Sequence, residues 1–393
     1  MSKPANPPTF RAVFRNEMEK IWIKRGKALI IALIILIAGV SLVSAHTYHQ
    51  TYQPAAENAQ NNQQAAAQMR QQIAQTQRAL QSVPQGKKKA LQQQLAQQQQ
   101  ALQQIQQSNG GTVNERLQVR SLQNSLSTIP TQRGPLLEQL ALARYRVSHG
   151  LLSYNPAADS GMRLVGLVFG GDTLVLFALM AVVIASDTVS AELHSGTWGI
   201  LLLHAPRRRQ VYLAKWAAAL LILWGFMLAA AVGIFAFSSV LMRVGSTLEP
   251  HVVGMVTTLL PQNFGPSLVV PAQQVFHIMP QWSYDLLALV LAMLTLGGFV
   301  TLLVGLSVVT RSTVGALIIG VLVLLSGFFA ALAGPASLLD PAVSFPLISD
   351  WTGTLAMQDN VRALTLGTGL TVTLIWAAAA LAVGLWRVSR TDV

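Results

Sequence analysis

The chain runs to 393 residues, 52% of them hydrophobic and 11% charged, with a mean hydropathy of +0.46. Soluble domains carry about 25% charged residues, so the composition excludes a water-soluble globule and indicates an integral membrane protein. In such a chain a net charge of +12 belongs to basic loops at the membrane surface and to anionic lipid, not to nucleic acid, and the absence of cysteine excludes disulfides, thiolate metal sites and a cysteine nucleophile.

Residues Met1–Pro8 are polar and proline-rich and read as a tail. From Thr9 the pattern turns amphipathic: Phe10, Val13, Phe14, Met18, Ile21 and Trp22 recur at helical spacing, with Arg11, Arg15, Lys20 and Lys24 mostly elsewhere on the wheel. This predicts an interfacial helix within residues 1–27, lying in the headgroup plane; a helix packed on a soluble partner is the alternative. Residues 28–45 form the first predicted span. Val43-Ser44-Ala45 looks like a signal-peptidase site, but the apolar run exceeds the 7–15 residues of a signal peptide, so the helix is read as retained.

Residues 46–161 form the one sizeable predicted domain outside the membrane. It is glutamine-rich, with 21 glutamines between Ala55 and Gln107. Low complexity of this kind is compatible with disorder, yet the apolar residues keep helical steps. Ala66, Met69, Ile73, Thr76, Leu80 and Val83 step by three and four, and Leu91, Leu95, Leu102 and Ile105 do so if Gln98 fills one place. Val119, Leu122, Leu126 and Ile129 repeat the step, as do Leu136, Leu140, Ala143 and Val147. Turn-forming residues at Pro84-Gln85-Gly86, Ser108–Gly111 and Pro130 break the pattern, which predicts a coiled-coil-like helical hairpin or small bundle.

Residues 162–393 carry the remaining predicted spans, at about 166–189, 211–241, 284–309, 313–333 and 366–386. The expected fold is therefore an all-α integral membrane protein with six transmembrane helices. Basic residues cluster before the first span, in Arg207–Arg209 and Lys215 after the second, at Arg311 between the fourth and fifth, and in Arg387 and Arg390 after the last. The loop from Val244 to Ser283 has no Lys or Arg. Positive-inside logic places both termini in the cytoplasm of a multi-pass protein.

No phosphate-binding loop occurs: Gly26-Lys27 and Gly86-Lys87 lack the upstream glycine and the following hydroxyl residue. No His-Glu-x-x-His or Gly-x-Ser-x-Gly is present either. His46 and His49 lack supporting carboxylates and read as interfacial polar residues. Asp172 lies within a predicted span, which makes it a candidate for a substrate path, although Gly170-Gly171 before it suggests a helix that begins there and leaves Asp172 as a cap. The stretch 186–203 holds Glu192 near its start, then Gly196-Thr197-Trp198 and Leu201-Leu202, followed by Pro206, Arg207, Arg208 and Lys215. Leu193, Trp198, Leu201 and Leu202 fall on one face of a short helix that Pro206 ends.

In residues 190–210 of this chain an acid, a Gly-Thr step, an apolar run, a proline and a basic cluster follow in an order that resembles the cytoplasmic coupling loop of ABC type-2 transporter permeases. The resemblance extends to the amphipathic entry, the first span, the domain of variable size and the closing Trp386-Arg387-Val388-Ser389-Arg390-Thr391-Asp392-Val393. It implies the permease subunit of an exporter in a plasma membrane (a bacterial inner membrane), paired with a second copy or a paralogue. Two separate ATPase subunits would bind ATP and magnesium, and this chain would hold no cofactor or metal and would not be an enzyme. Glu192, Gly196, Thr197, Trp198, Leu201, Leu202, Arg207, Arg208 and Lys215 would couple ATPase motion to the helices. The glutamine-rich domain departs from the family pattern. The rival readings are a channel or secondary transporter, for which only Asp172 is a candidate, and an envelope scaffold built on the glutamine-rich domain.

Overall fold

A computed structural model describes residues 10–82, 88, 95–100, 102, 119, 121–125, 133–151, 160–171, 173–186, 188, 192, 208–260, 267–272, 276–329, 336–342 and 345–390. The chain divides into two compact units, one of residues 1–41 and 160–393 and one of residues 42–159.

In the larger unit, α1 runs unbroken over Phe10–Thr47, passing into the second unit near its end. The separate headgroup-plane helix and first span expected from sequence are thus one helix. The reason is visible in Lys24-Arg25-Gly26-Lys27: it holds no proline and no cap, and one glycine against the Trp22 ring does not stop a helix. The shielded stripe also keeps phase across this point, through Met18, Ile21, Arg25, Leu29, Ala32 and Leu36. Ile31, Ile34, Ile35 and Val43 stand exposed on other faces, as lipid-facing side chains do. The helix has 38 residues and so measures about 57 Å, nearly twice the hydrocarbon thickness of about 30 Å.

The predicted second span is a bent pair, α4 (Gly161–Gly170) and α5 (Leu174–Ala185), turning by 59° at the break. Ser160 caps α4 by accepting from the Arg163 N–H at 3.2 Å. At the break a Cβ on Gly171 would stand 2.7 Å from the Leu167 carbonyl oxygen, so only glycine fits. Thr173 Oγ1 donates to the Val168 carbonyl at 2.9 Å, recovering an acceptor that the lost turn frees. Asp172 lies outside the described residues.

Long apolar helices follow as α6 (Arg208–Leu241), α7 (Gln281–Thr310) and α11 (Leu366–Arg390), with the shorter α8 (Thr313–Phe329) after α7. Among the described residues four helices (α1, α6, α7 and α11) are long and apolar enough to cross a membrane, and the bent pair makes a fifth. Helix α8 falls short of that length, and residues 330–333 of its predicted span lie outside the described residues. The short α9 (Leu347–Thr352) and α10 (Thr354–Gln358) lie between α8 and α11.

Helix α7 is the pillar: 67% of its apolar window is buried, against 11% for α11. Its closest neighbour is α11, because small residues let the backbones approach. A Cβ on Gly298 would stand 2.6 Å from Thr373, and one on Gly305 would stand 2.9 Å from the Ala380 carbonyl oxygen. Helix α6 is tied to α7 by two indoles: Trp216 Nε1 donates to Thr301 Oγ1 at 2.8 Å and Trp224 Nε1 to the Met293 carbonyl at 2.9 Å. Phe169, Phe177, Phe226, Leu223, Leu296 and Leu303 belong to the shared core.

The loop of 244–283 adds four short strands to the expected all-helical fold. Strands β1 (Pro250–Val253) and β4 (His277–Pro280) pair antiparallel, as do β2 (Thr257–Leu260) and β3 (Leu268–Pro271). Val252-Val253, Thr257-Thr258 and Val269-Val270 are the β-branched pairs that mark these strands in the sequence.

In the smaller unit, a π-helical turn (Tyr48–Tyr52) leads into α2 (Gln53–Ser82), and α3 (Arg133–Ser148) follows. Along α2 the shielded positions are Ala66, Met69, Ile73 and Thr76, between exposed glutamines. Gln98 Oε1 accepts from Thr76 Oγ1 at 3.1 Å. Leu140 and Ala143 of α3 pack with Leu122. Leu91, Ile105, Leu126 and Ile129 lie outside the described residues.

Candidate coupling site

The apolar stripe of α1 contains one acid. Glu17 sits four residues after Val13 and four before Ile21, so helical geometry turns it toward the bundle with them. A carboxylate there is costly unless paired, and it is paired twice. Glu17 Oε2 meets Lys215 Nζ at 2.7 Å and Glu17 Oε1 meets Lys20 Nζ at 3.1 Å. Both lysines also reach Glu192: Lys215 Nζ lies 2.9 Å from Glu192 Oε2 and Lys20 Nζ 2.9 Å from Glu192 Oε1. Two carboxylates and two ammoniums alternate in a closed ring of zero net charge.

Three segments far apart in sequence meet in this ring: the N-terminal part of α1, the residue Glu192 after α5, and the third turn of α6. Lys215 and Glu17 form its dry side, with side chains 1% and 4% exposed, while Lys20 at 38% opens it to solvent. One turn before Lys215, the fully buried Tyr212 packs against Gly384 of α11, where any Cβ would collide with its ring. Ring and tyrosine together anchor the start of α6 to α1 and α11.

Of the residues singled out in sequence, the structure brings Glu192 and Lys215 into direct contact, and it places Arg208 half-buried at the first position of α6. Gly196, Thr197, Trp198, Leu201, Leu202 and Arg207 lie outside the described residues. Sequence reasoning missed Glu17 and Lys20, although an acid between Val13, Phe14 and Ile21 on an apolar face was a usable sign of Glu17. Among the described residues no group of three or more His, Asp or Glu side chains is placed to hold a metal.

Burial alone would raise the Glu192 carboxyl, but Lys215 and Lys20 outweigh it and hold the group below the ordinary carboxylate value of 4.5. A depressed carboxylate stabilises the fold above its unfolded value, and that contribution is lost as pH falls through the folded value. The melting midpoint of the parent chain should therefore exceed that of Glu192→Gln at neutral pH, and the gap should close as pH is taken well below 4.5. A gap independent of pH would show that the Glu192 charge does not support the ring.

Apolar helices of spanning length around a buried pillar, with an internal ion ring that joins α1 and α6 to Glu192, define an integral membrane protein. Residues 11–393 match the family model described as ABC-2 family transporter protein. The chain belongs to that family and is a membrane permease of the ABC transporter type. No curated protein and no solved structure matches it.

Proposed function

We propose that the chain is the permease subunit of an ATP-driven exporter that moves a lipid, peptide, antibiotic, polysaccharide or ion out of the cytoplasm. Family membership over nearly the whole chain supports this reading, and the ion ring is the observation that carries it: whatever displaces the segment at Glu192 displaces α1 and α6 with it. The loop of residues 190–210 would seat on a separate ATPase subunit, present in two copies that bind ATP and magnesium. Closure of the ATPase pair would push this loop, and the ring would pass the push on as a rigid-body shift. A second copy of the chain, or a paralogue, would complete the path in the plasma membrane (a bacterial inner membrane), both termini cytoplasmic and membrane lipid around them.

Purification of the tagged chain from its native membrane should bring down a stoichiometric ATPase with a phosphate-binding loop. Gly196→Pro should reduce ATP hydrolysis by that complex, since proline breaks the predicted loop helix at roughly 3 kcal/mol. An intact permease that purifies with no ATPase would overturn the reading. It would leave a secondary transporter, for which the bent α4–α5 span is the favouring observation.

A further inference from the structure

Where α7 begins, a carboxylate is set among neutral partners. Asp285 is 8% exposed. Its Oδ1 accepts from Gln281 Nε2 at 2.6 Å, one turn earlier. Among the described residues no cation forms an ion pair with it. The α4 backbone is so close that a Cβ on Gly166 would stand 2.5 Å from Oδ1. The other end of the Gln281 amide faces His251 of β1: Gln281 Oε1 meets His251 Nε2. The imidazole stacks on Tyr284 with ring centroids 4.2 Å apart and is half-buried.

We propose that Asp285 is a proton-binding site whose charge state controls the packing of α4 on α7. A neutral carboxyl fits the dry contact at Gly166. An ionised one needs water or a cation that the contact excludes, so loss of the proton parts α4 from α7. The bond from the Gln281 amide is compatible with the neutral form, because the carbonyl oxygen of a protonated carboxyl still accepts from Nε2. Helix α4 has only ten residues and ends at the Gly171 break, so the shift is confined to a short segment hinged there.

The surrounding charges favour this assignment. On α4, Arg163 is engaged by Glu249 at 3.5 Å, and Glu249 itself lies within Coulomb reach of Asp285 as a second negative charge. Tyr284 and His251 are the other titratable neighbours in the cluster. Arg243 follows α6, His277 lies on β4 and Asp350 on α9, while α5, α8, α10 and the first half of α11 carry no titratable side chain.

The test uses the purified full-length chain in lipid nanodiscs and needs neither ATPase nor substrate, so it is independent of the export reading. Infrared difference spectra over a pH titration should show one protonated-carboxyl band that disappears in a single-proton step and is missing in Asp285→Asn. Across the same step, amide hydrogen exchange over 161–170, corrected for intrinsic rates, should rise about tenfold; in Asp285→Asn it should stay at the low-pH level. Should the asparagine variant misfold, Asp285→Glu should shift the midpoint of both signals. His251→Gln should keep the transition. A band that persists in Asp285→Asn, a transition that vanishes in His251→Gln, or an exchange profile flat in the parent chain would each overturn the proposal.

Discussion

Lys215→Leu is expected to destabilise the folded chain by about 3–5 kcal/mol, the cost of breaking a buried ion pair by removing one partner. The lysine holds Glu17 at 2.7 Å and Glu192 at 2.9 Å with its own side chain 1% exposed. Without it two carboxylates share the half-exposed Lys20. Replacing both members of the driest pair, in Glu17→Leu with Lys215→Leu, should recover most of the loss, because it leaves Lys20 and Glu192 as a simple pair and puts apolar groups where the charges were. Melting midpoints of the solubilised full-length chains, compared as a double-mutant cycle, measure both effects. A single variant within about 0.5 kcal/mol of the parent would mean that the ring is not formed in solution.

The second large effect is steric. Gly305→Leu places a side chain where a Cβ alone would stand 2.9 Å from a backbone oxygen of α11, and backbone yields less readily than a side chain. Overpacking of this kind costs about 1–3 kcal/mol, occasionally more, and here it acts at the close contact of α7 with α11. Gly225 on α6 has nothing within 4 Å of its Cβ position. Gly225→Leu should therefore be neutral or favourable, since it removes a helix penalty of roughly 0.8–1 kcal/mol. Equal folded yields of the two variants on size-exclusion chromatography would contradict the close α7–α11 packing.

Hydropathy made the long helices legible, because twenty apolar residues have few other uses. Within the glutamine-rich stretch the periodic positions Ala66, Met69, Ile73 and Thr76 are the shielded ones of α2. What the sequence hid was long-range. Hydropathy averages over a window, so Glu17 vanished into an amphipathic helix and Asp285 into the edge of a predicted span. Each acquires its meaning only from a partner far along the chain, Lys215 for the one and Gly166 for the other. Asp172 drew attention instead, being the visible charge within an apolar run. The short strands at 250–280 were missed for a related reason: four-residue strands pair locally in space and leave little periodic trace.

The two indole bonds between α6 and α7 carry a mechanical consequence. A step of eight residues from Trp216 to Trp224 on one helix is matched by a step of eight back from Thr301 to Met293 on the other. The pins are therefore in antiparallel register, and sliding one helix along the other must break both at once. Both tryptophans are half-buried, and an indole N–H that loses its acceptor away from water costs about 1–3 kcal/mol, so small displacements gain nothing to offset the loss. Helices α6 and α7 must travel as a single beam, with the ion ring near one end and Asp285 near the other.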